Sequence, residues 1–498
     1  MTKKRSLLRR IGFGFLALIL SFTALTFWMN REKRWDGNEV IAAAGSVKEE
    51  KVGVIIVALT QSSQFNPRFW RNIFDKLLET FIPWPINIVA GTDRGVALMD
   101  PGRAYAPKEF VPKRLADLDG LEEDKDGTPW IERYKRGELT WVGTSDSIPH
   151  DTGFFLYSGR KQGMPTAAAK TAVKARYLYY AQLKNAYLPH GDQTIKLGTD
   201  AIALLRQRFP QIIAGEFVDA FDPPAERAAV RRILDSGATV IVMGSGQPIN
   251  SDFEEMKGSY AKIRKYVQEW QSENRYKPIR LAAAPWMGTE PSVADLWLKH
   301  FDEAVPPATA SGQKAYGIMS LHGIPTSLAK KESWSKRWPI LAKRMEPKMA
   351  AILKAKGYAS VTALTAHEAF ADALEDPDNE ILSVNEVFKK ARGEKAAIAV
   401  ALPVEFLAEN TDTLFAHQSL FFDGIVGYKT YAPPPLTQDW NLPYVRRLRD
   451  GPTMIIYAGA LGGAKQPDAS EVLATAIGRV FPAKLGPEKV GPGKVGAK

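Results

Sequence analysis

Five short, largely apolar runs separated by amphipathic segments leave few architectures open to this chain. Residues 52–59 (VGVIIVAL) form the clearest; 239–243, 279–284, 315–321 and 397–402 read the same way. A strand with one wet face alternates apolar and polar residues, so runs without alternation mark strands buried on both faces, as in a parallel sheet covered by helices. Helical patterns with usable ends lie between them. Asp222-Pro223-Pro224 opens one and Gly237 stops it; Asn250 or Ser251 opens the next, through Tyr266 and Trp270; Ser292 opens a third that ends near Ala304. The expected fold class is therefore α/β, with two similar lobes, each a parallel sheet with helices on both faces, plus one N-terminal transmembrane helix. The first lobe spans 52–314 and the second 315–481. Residues 83–190 break the rhythm with Pro, Gly, charge and aromatic residues (Trp84, Trp130, Tyr134, Trp141, Tyr177, Tyr179, Tyr180), and read as an insertion packed over the first lobe. A linker fills 35–51, and the Gly/Pro/Lys-rich end, 482–498, reads as a disordered basic tail.

The membrane helix is expected at 11–28 (IGFGFLALILSFTALTFW), an uncharged run of 18 residues. At about 1.5 Å per residue it would be about 27 Å long, close to the hydrocarbon thickness of a bilayer. Lys3, Lys4, Arg5, Arg9 and Arg10 precede it and Arg31, Lys33 and Arg34 follow, a slight bias that keeps the N-terminus cytoplasmic. The expected arrangement is a single-pass protein of the inner (cell) membrane with 1–34 as cytoplasmic N-terminus and anchor and the globular part periplasmic, that is, extracytoplasmic. A cleaved signal peptide is the rival reading; its small-residue site, Ala42-Ala43-Ala44, lies far beyond the apolar run. The anchor makes the lipid bilayer a partner through 11–28, and the insertion at 83–190 offers a surface for a membrane-protein partner.

Net charge is +11, a value that suggests nucleic acid until it is located. Residues 1–34 hold eight basic residues against one acid, and 482–498 hold four lysines against Glu488. The body between is close to neutral, whereas nucleic-acid binding needs a basic face on the folded domain. No nucleic-acid partner is expected. Cys is absent, which removes disulfides, thiolate metal sites and thiol nucleophiles.

His is scarce, with six in the chain. His322 stands where the run 315–321 breaks into Gly323-Ile324-Pro325, at the carboxyl end of a strand, which is the ligand-binding edge of a parallel sheet. The plain alternative is a structural histidine. Asp412 follows the strand at 397–404, and its plain alternative is a first-turn acid favoured by the helix dipole. Both positions reach the same sheet edge from different strands. His417 lies five residues past Asp412; His150, His190, His300 and His367 lack a ligand partner at diagnostic spacing. No HExxH, P-loop, strand-linked GxGxxG or GxSxG occurs.

The order of these segments resembles ferrochelatase, of the chelatase superfamily. Residues 52–59 are similar to that family's first strand. Residues 219–224 (DAFDPP), the helix after them and 239–249, with Gly246-Gln247-Pro248, resemble the block carrying the family's Pro-Gln turn. Ser320-Leu321-His322-Gly323-Ile324-Pro325 is close to its Ser-Ala-His-Gly-Leu-Pro signature, 404–414 resembles the segment that ends in Glu-Thr-Leu, and Asn441-Leu442-Pro443 falls where the family has a late Asn and Pro. The likeness covers roughly 190–450 plus the first strand. It implies a chelatase-like fold and a lyase that inserts ferrous iron, or another divalent metal, into protoporphyrin, as in haem biosynthesis. Fe2+ and a tetrapyrrole would be substrates and partners, with no tightly bound cofactor. His322 and Asp412 take the catalytic positions; His322, Asp412 and Glu409 are the candidate metal ligands; Gln247, Pro248, Ser320, Gly323 and Pro325 are the candidate substrate contacts. Metallation removes two pyrrole N–H protons and guides a divalent ion into a flat ring. A neutral imidazole opposite a carboxylate can do both, inside an apolar cleft. The sequence departs from the pattern at Asp412, one methylene shorter than the family's Glu, at Ala416 in place of the next acid, and at Glu409-Asn410 in place of Asp-His. Those departures leave a second reading: a non-catalytic haem-, porphyrin- or metal-binding protein of the same fold, acting as a subunit of a membrane assembly.

Overall fold

The computed structural model of the chain describes residues 18–26, 47–48, 50–60, 63, 139–143, 153–157, 187–220, 223–249, 257–322, 334–367, 381–409 and 439–482. They fall into two compact units. One comprises Met1–Asp36 and Gln64–Leu188, the other Gly37–Ser63 and Pro189–Lys498.

The second of these holds two sheets. In the first sheet, β1 (Val52–Ala58) lies between β4 (Ile212–Asp219) and β5 (Val240–Ser245), with β6 (Arg280–Ala283) outside β5; the order is β4-β1-β5-β6 and every pairing is parallel. The second sheet has the order β10-β11-β9-β7-β8, built from β7 (Lys314–Leu321), β8 (Ser360–His367), β9 (Ile398–Pro403), β10 (Arg446–Asp450) and β11 (Thr453–Tyr457). Only its edge pair, β10 with β11, is antiparallel. In both sheets the first strand in sequence sits between the second and the third, so the two are wound alike.

The apolar runs explain this burial. All seven residues of β1 are buried, as are all six of β5 and of β9. Fully burying a Val or Ile side chain is worth about 1.5–3 kcal/mol, so such strands are stable only with helices on both faces. Helices α1 (His190–Arg208), α4 (Pro291–Ala304), α5 (Trp334–Ala355) and α7 (Gln466–Gly478) join one large core. In it Val52, Val54 and Ile56 of β1 meet Leu197, Ala201 and Leu205 of α1, and Val400 and Leu402 of β9 share the same cluster. On the first sheet's other face lies α2 (Pro223–Asp235), with α3 (Lys257–Glu273) packed against it; on the second sheet's other face lies α6 (Val384–Gly393), over Tyr316, Ile318, Ala399 and Ala401. The result is a mixed α/β architecture of parallel sheets flanked by helices.

The last helix does not stay with the strands that precede it. From α7, the Ser470 hydroxyl donates to the Leu197 carbonyl at 3.0 Å and the Gln466 amide to the Gln193 carbonyl at 2.5 Å, both on α1. Arg479 then forms a bidentate pair with Glu290 at 2.8 and 2.9 Å.

Of the other unit, β2 (Leu139–Gly143) and β3 (Gly153–Tyr157) form an antiparallel pair. Residues 18–26, within the expected anchor at 11–28, are helical, and Leu18, Leu20 and Phe22 are exposed. Among the described residues no helix is long and apolar enough to cross a membrane; the remainder of 11–28, most of the insertion at 83–190 and the tail after 482 lie outside them.

Candidate functional site

In sheets wound this way, ligands enter where neighbouring strands lead away in opposite directions, at their carboxyl ends. Each sheet has one such point, between β1 and β5 and between β7 and β9.

At the first, a shallow crevice is lined by Ala58 at the end of β1 and Leu59 and Thr60 after it, Gly246 and Gln247 after β5, Thr194 and Leu197 of α1, Phe217 of β4, and Phe406, Leu407 and Ala408. The last three follow the second sheet's strand β9. Thr60 is fixed by Asp219, whose carboxylate accepts its backbone N–H at 2.7 Å and its hydroxyl at 2.5 Å. Gln247 is buried, with its backbone N–H on the Ser245 hydroxyl at 3.3 Å, and the Pro248 carbonyl accepts the indole N–H of Trp286. Phe217 reaches the crevice because α1 carries Gly198 there: a Cβ on Gly198 would stand 2.0 Å from the Phe217 ring.

At the second point, β7 ends in Ser320 and Leu321, and His322 directly follows it. The His322 backbone N–H donates to the carboxylate of Glu405, a buried residue two positions past β9. Its imidazole lies 5.8 Å from the Phe406 ring, centroid to centroid, tilted by 55°. Ser320 is buried, and among the described residues its hydroxyl has no hydrogen-bond partner. Phe406 is thus shared: it touches His322 and forms one wall of the crevice that holds Gln247.

Glu409 is buried, with one oxygen accepting the Ala460 N–H at 2.6 Å and the other the Tyr457 hydroxyl at 3.2 Å. This carboxylate holds the turn after β11. His300 of α4 approaches the same turn, its Nε2 3.0 Å from both the Ala458 and the Gly459 carbonyls. Gly459 has φ +75°, and a Cβ there would stand 2.7 Å from the Tyr444 carbonyl and 2.8 Å from Glu409 Oε1, so no other residue fits. Burial pushes His300 down to about 4, with nearby Lys465 adding to the effect and the two carbonyls opposing it. His190, in the first turn of α1, is pushed to about 4 by burial against a bond to Gln193. It packs edge-on to Trp440 at 4.6 Å, and Gln193 donates to the Trp440 carbonyl at 3.0 Å. The rim of the crevice on α1 is therefore tied to the segment leading into β10.

Of the candidate residues, His322, Glu409, Gln247, Pro248 and Ser320 are placed; Gly323, Pro325 and Asp412 lie outside the described residues, as do Asn410, Ala416 and His417. Among the described residues no group of three or more His, Asp or Glu stands together so as to hold a metal ion. Sequence reasoning gave no role to Thr60, Thr194, Phe217, Glu405 or Phe406. Thr60 was findable, because it directly follows the clearest apolar run. Glu405 was not, because its partner is 83 residues away along the chain.

No family profile and no curated protein matches the chain. Among solved structures it is similar to SirB from Bacillus subtilis with Fe3+, at 14% identity over 58% of this chain and 92% of that one, TM-score 0.32. It is also similar to DR2241 from Deinococcus radiodurans, a multi-domain protein with structural similarity to chelatases and two additional novel domains, at 10% identity over 57% and 50% of the two chains, TM-score 0.31. A leucine-, isoleucine-, valine-, threonine- and alanine-binding protein from Brucella ovis matches at 16% identity over 48% and 54%, TM-score 0.21. Likenesses this distant carry no inference about activity.

Proposed function

We propose that this chain is a ferrochelatase-like protein that brings a divalent metal, ferrous iron in the first instance, together with a tetrapyrrole at the carboxyl edges of its two sheets. The observation that carries the reading is the position of His322: it directly follows β7 at the second sheet's branch point and packs against Phe406, which also walls the crevice at the first. A flat apolar ring needs an aromatic and aliphatic wall, and Leu59, Leu197, Phe217, Phe406 and Leu407 supply one. In this reading the neutral imidazole of His322 accepts a pyrrole proton or ligates the incoming metal. Asp412 would take the other proton. Gln247, which lines the crevice, and Ser320, buried near the end of β7, are the polar candidates for substrate contact, with Pro248, Gly323 and Pro325 the remaining candidates. The chain would be anchored in the inner membrane through 11–28, with the globular part extracytoplasmic and 83–190 facing a membrane-protein partner.

One observation favours a second reading, in which the same cleft holds haem, a porphyrin or a metal without turnover. Each oxygen of Glu409 accepts a hydrogen bond inside the protein, which commits the carboxylate to holding the turn after β11. The full-length chain in detergent, mixed anaerobically with protoporphyrin and ferrous or zinc ion, separates the two. Loss of the free-base absorption bands, abolished in His322→Ala and in Asp412→Asn, supports insertion. Pigment binding without metallation supports the holding role, and turnover unchanged in His322→Ala would sink the role of the histidine.

A further inference from the structure

The two residues that follow one another after β9 grip His322 at two places. The Glu405 carboxylate accepts its backbone N–H, and the Phe406 ring lies 5.8 Å from its imidazole. Main chain and side chain are thereby fixed from the same short segment, across the gap between β7 and β9. The grip forms just beyond the last strand pairing: Ser320 is in register with Pro403, and the Val404 N–H donates to the Ser320 carbonyl at 3.3 Å. Past that point no further strand pairing joins β7 to β9 among the described residues, and the Glu405 side chain supplies the next link. Glu405 is 4% exposed, so the bond is partly sheltered from water, and a carboxylate accepting an N–H makes one of the stronger hydrogen bonds available to a protein.

We infer that Glu405 is the positioning residue of the His322 turn, setting where the imidazole stands against Phe406 and so against whatever occupies the crevice beyond it. The inference rests on the proposed role of His322, but its geometry can be read without metallation. Glu405 touches no substrate; it acts through the histidine.

The test is carbethoxylation of the full-length chain in detergent with diethylpyrocarbonate at pH 7.5, with each histidine followed by peptide mass spectrometry, in wild type, Glu405→Ala and Glu405→Gln. Buried His190 and His300 report whether the fold is intact. The expected result is a rise of about tenfold in the His322 rate for Glu405→Ala, the scale of one lost charge-assisted bond, with His190 and His300 still protected. Glu405→Gln, which keeps an acceptor oxygen, stays near wild type. An unchanged His322 rate in Glu405→Ala overturns the positioning role. A joint rise at His190, His300 and His322 overturns it as well, because it assigns Glu405 a general structural duty. Failure of the wild-type chain to metallate protoporphyrin would count against the proposed function and leave the labelling result to decide the role of Glu405.

Discussion

His300 makes the acid stability of this protein a quantitative matter. Its ring is buried in α4 with Nε2 on two carbonyls of the turn after β11, an arrangement in which one neutral N–H donor is shared between two acceptors. Burial holds its pKa at about 4 against an ordinary 6.5. Because the folded value is depressed, the unfolded chain binds the proton first. The stabilisation is complete above pH 6.5, falls as the pH drops below that, and is exhausted below about 4. A gap of this size corresponds to about 3 kcal/mol in total, of which about 2 kcal/mol is already gone at pH 5. The informative variant is His300→Gln, which keeps an N–H donor for the two carbonyls and cannot titrate. Urea unfolding of the chain at pH 7.5, 6.5, 5.5 and 5.0 measures both curves. His190 and the carboxylates remain in each protein, so their contributions cancel in the difference. The variant is expected to be the less stable of the two at pH 7.5, because the amide fits the site less well, and to lose about 2 kcal/mol less than wild type on going to pH 5. Parallel curves for the two proteins would refute the reasoning, since they would mean that His300 takes up its proton equally in the folded and unfolded states.

Two further outcomes follow from local geometry. Gly459→Ala forces a left-handed φ of +75° on a residue with a side chain and drives its Cβ into the Tyr444 carbonyl and Glu409; a loss of about 2–4 kcal/mol is expected in urea unfolding. Ser383 caps α6 in a reciprocal arrangement with Glu386, so Ser383→Ala should cost about 1 kcal/mol at neutral pH. The bonds from Ser383 hold the Glu386 carboxyl below its usual range. Their stabilisation is therefore present above the ordinary carboxylate pKa and lost as the pH falls through the folded value, and the penalty of the variant should shrink in acid; a penalty that stays constant down to pH 3 would contradict this.

Much of the architecture was legible because burial on both faces leaves its mark within a few consecutive residues. The run at 52–59 needs no partner to be recognised, and β1 occupies Val52–Ala58. The run at 239–243 became Val240–Ser245, and 315–321 became Lys314–Leu321, shifts of one or two residues where the ladder and not the hydropathy decides the end. The helix expected from Asn250 or Ser251 is described from Lys257, with 250–256 outside the described residues. Strands β4, β8, β10 and β11 were missed, as was the pair β2 and β3. Half-buried β4 and β8 carry polar residues such as Glu216, Ser360 and Thr362, and so lack the continuous apolar signature.

The sequence alone determined which segments carry the mark of strands buried on both faces, where a histidine meets a strand end, and that the excess positive charge is concentrated in 1–34 and 482–498. These are properties of neighbours along the chain, where side-chain periodicity and backbone preference act directly. Only the tertiary structure decided that Glu409 is bonded inward to Tyr457 and Ala460, that Glu405 holds the His322 turn, that Phe406 serves both branch points, and that α7 leaves its own sheet to pack on α1. Each of those depends on contacts between residues tens to hundreds of positions apart. Whether a buried carboxylate is available to a ligand or engaged by the protein is set by which donors the folded chain brings to it, and no local pattern records that.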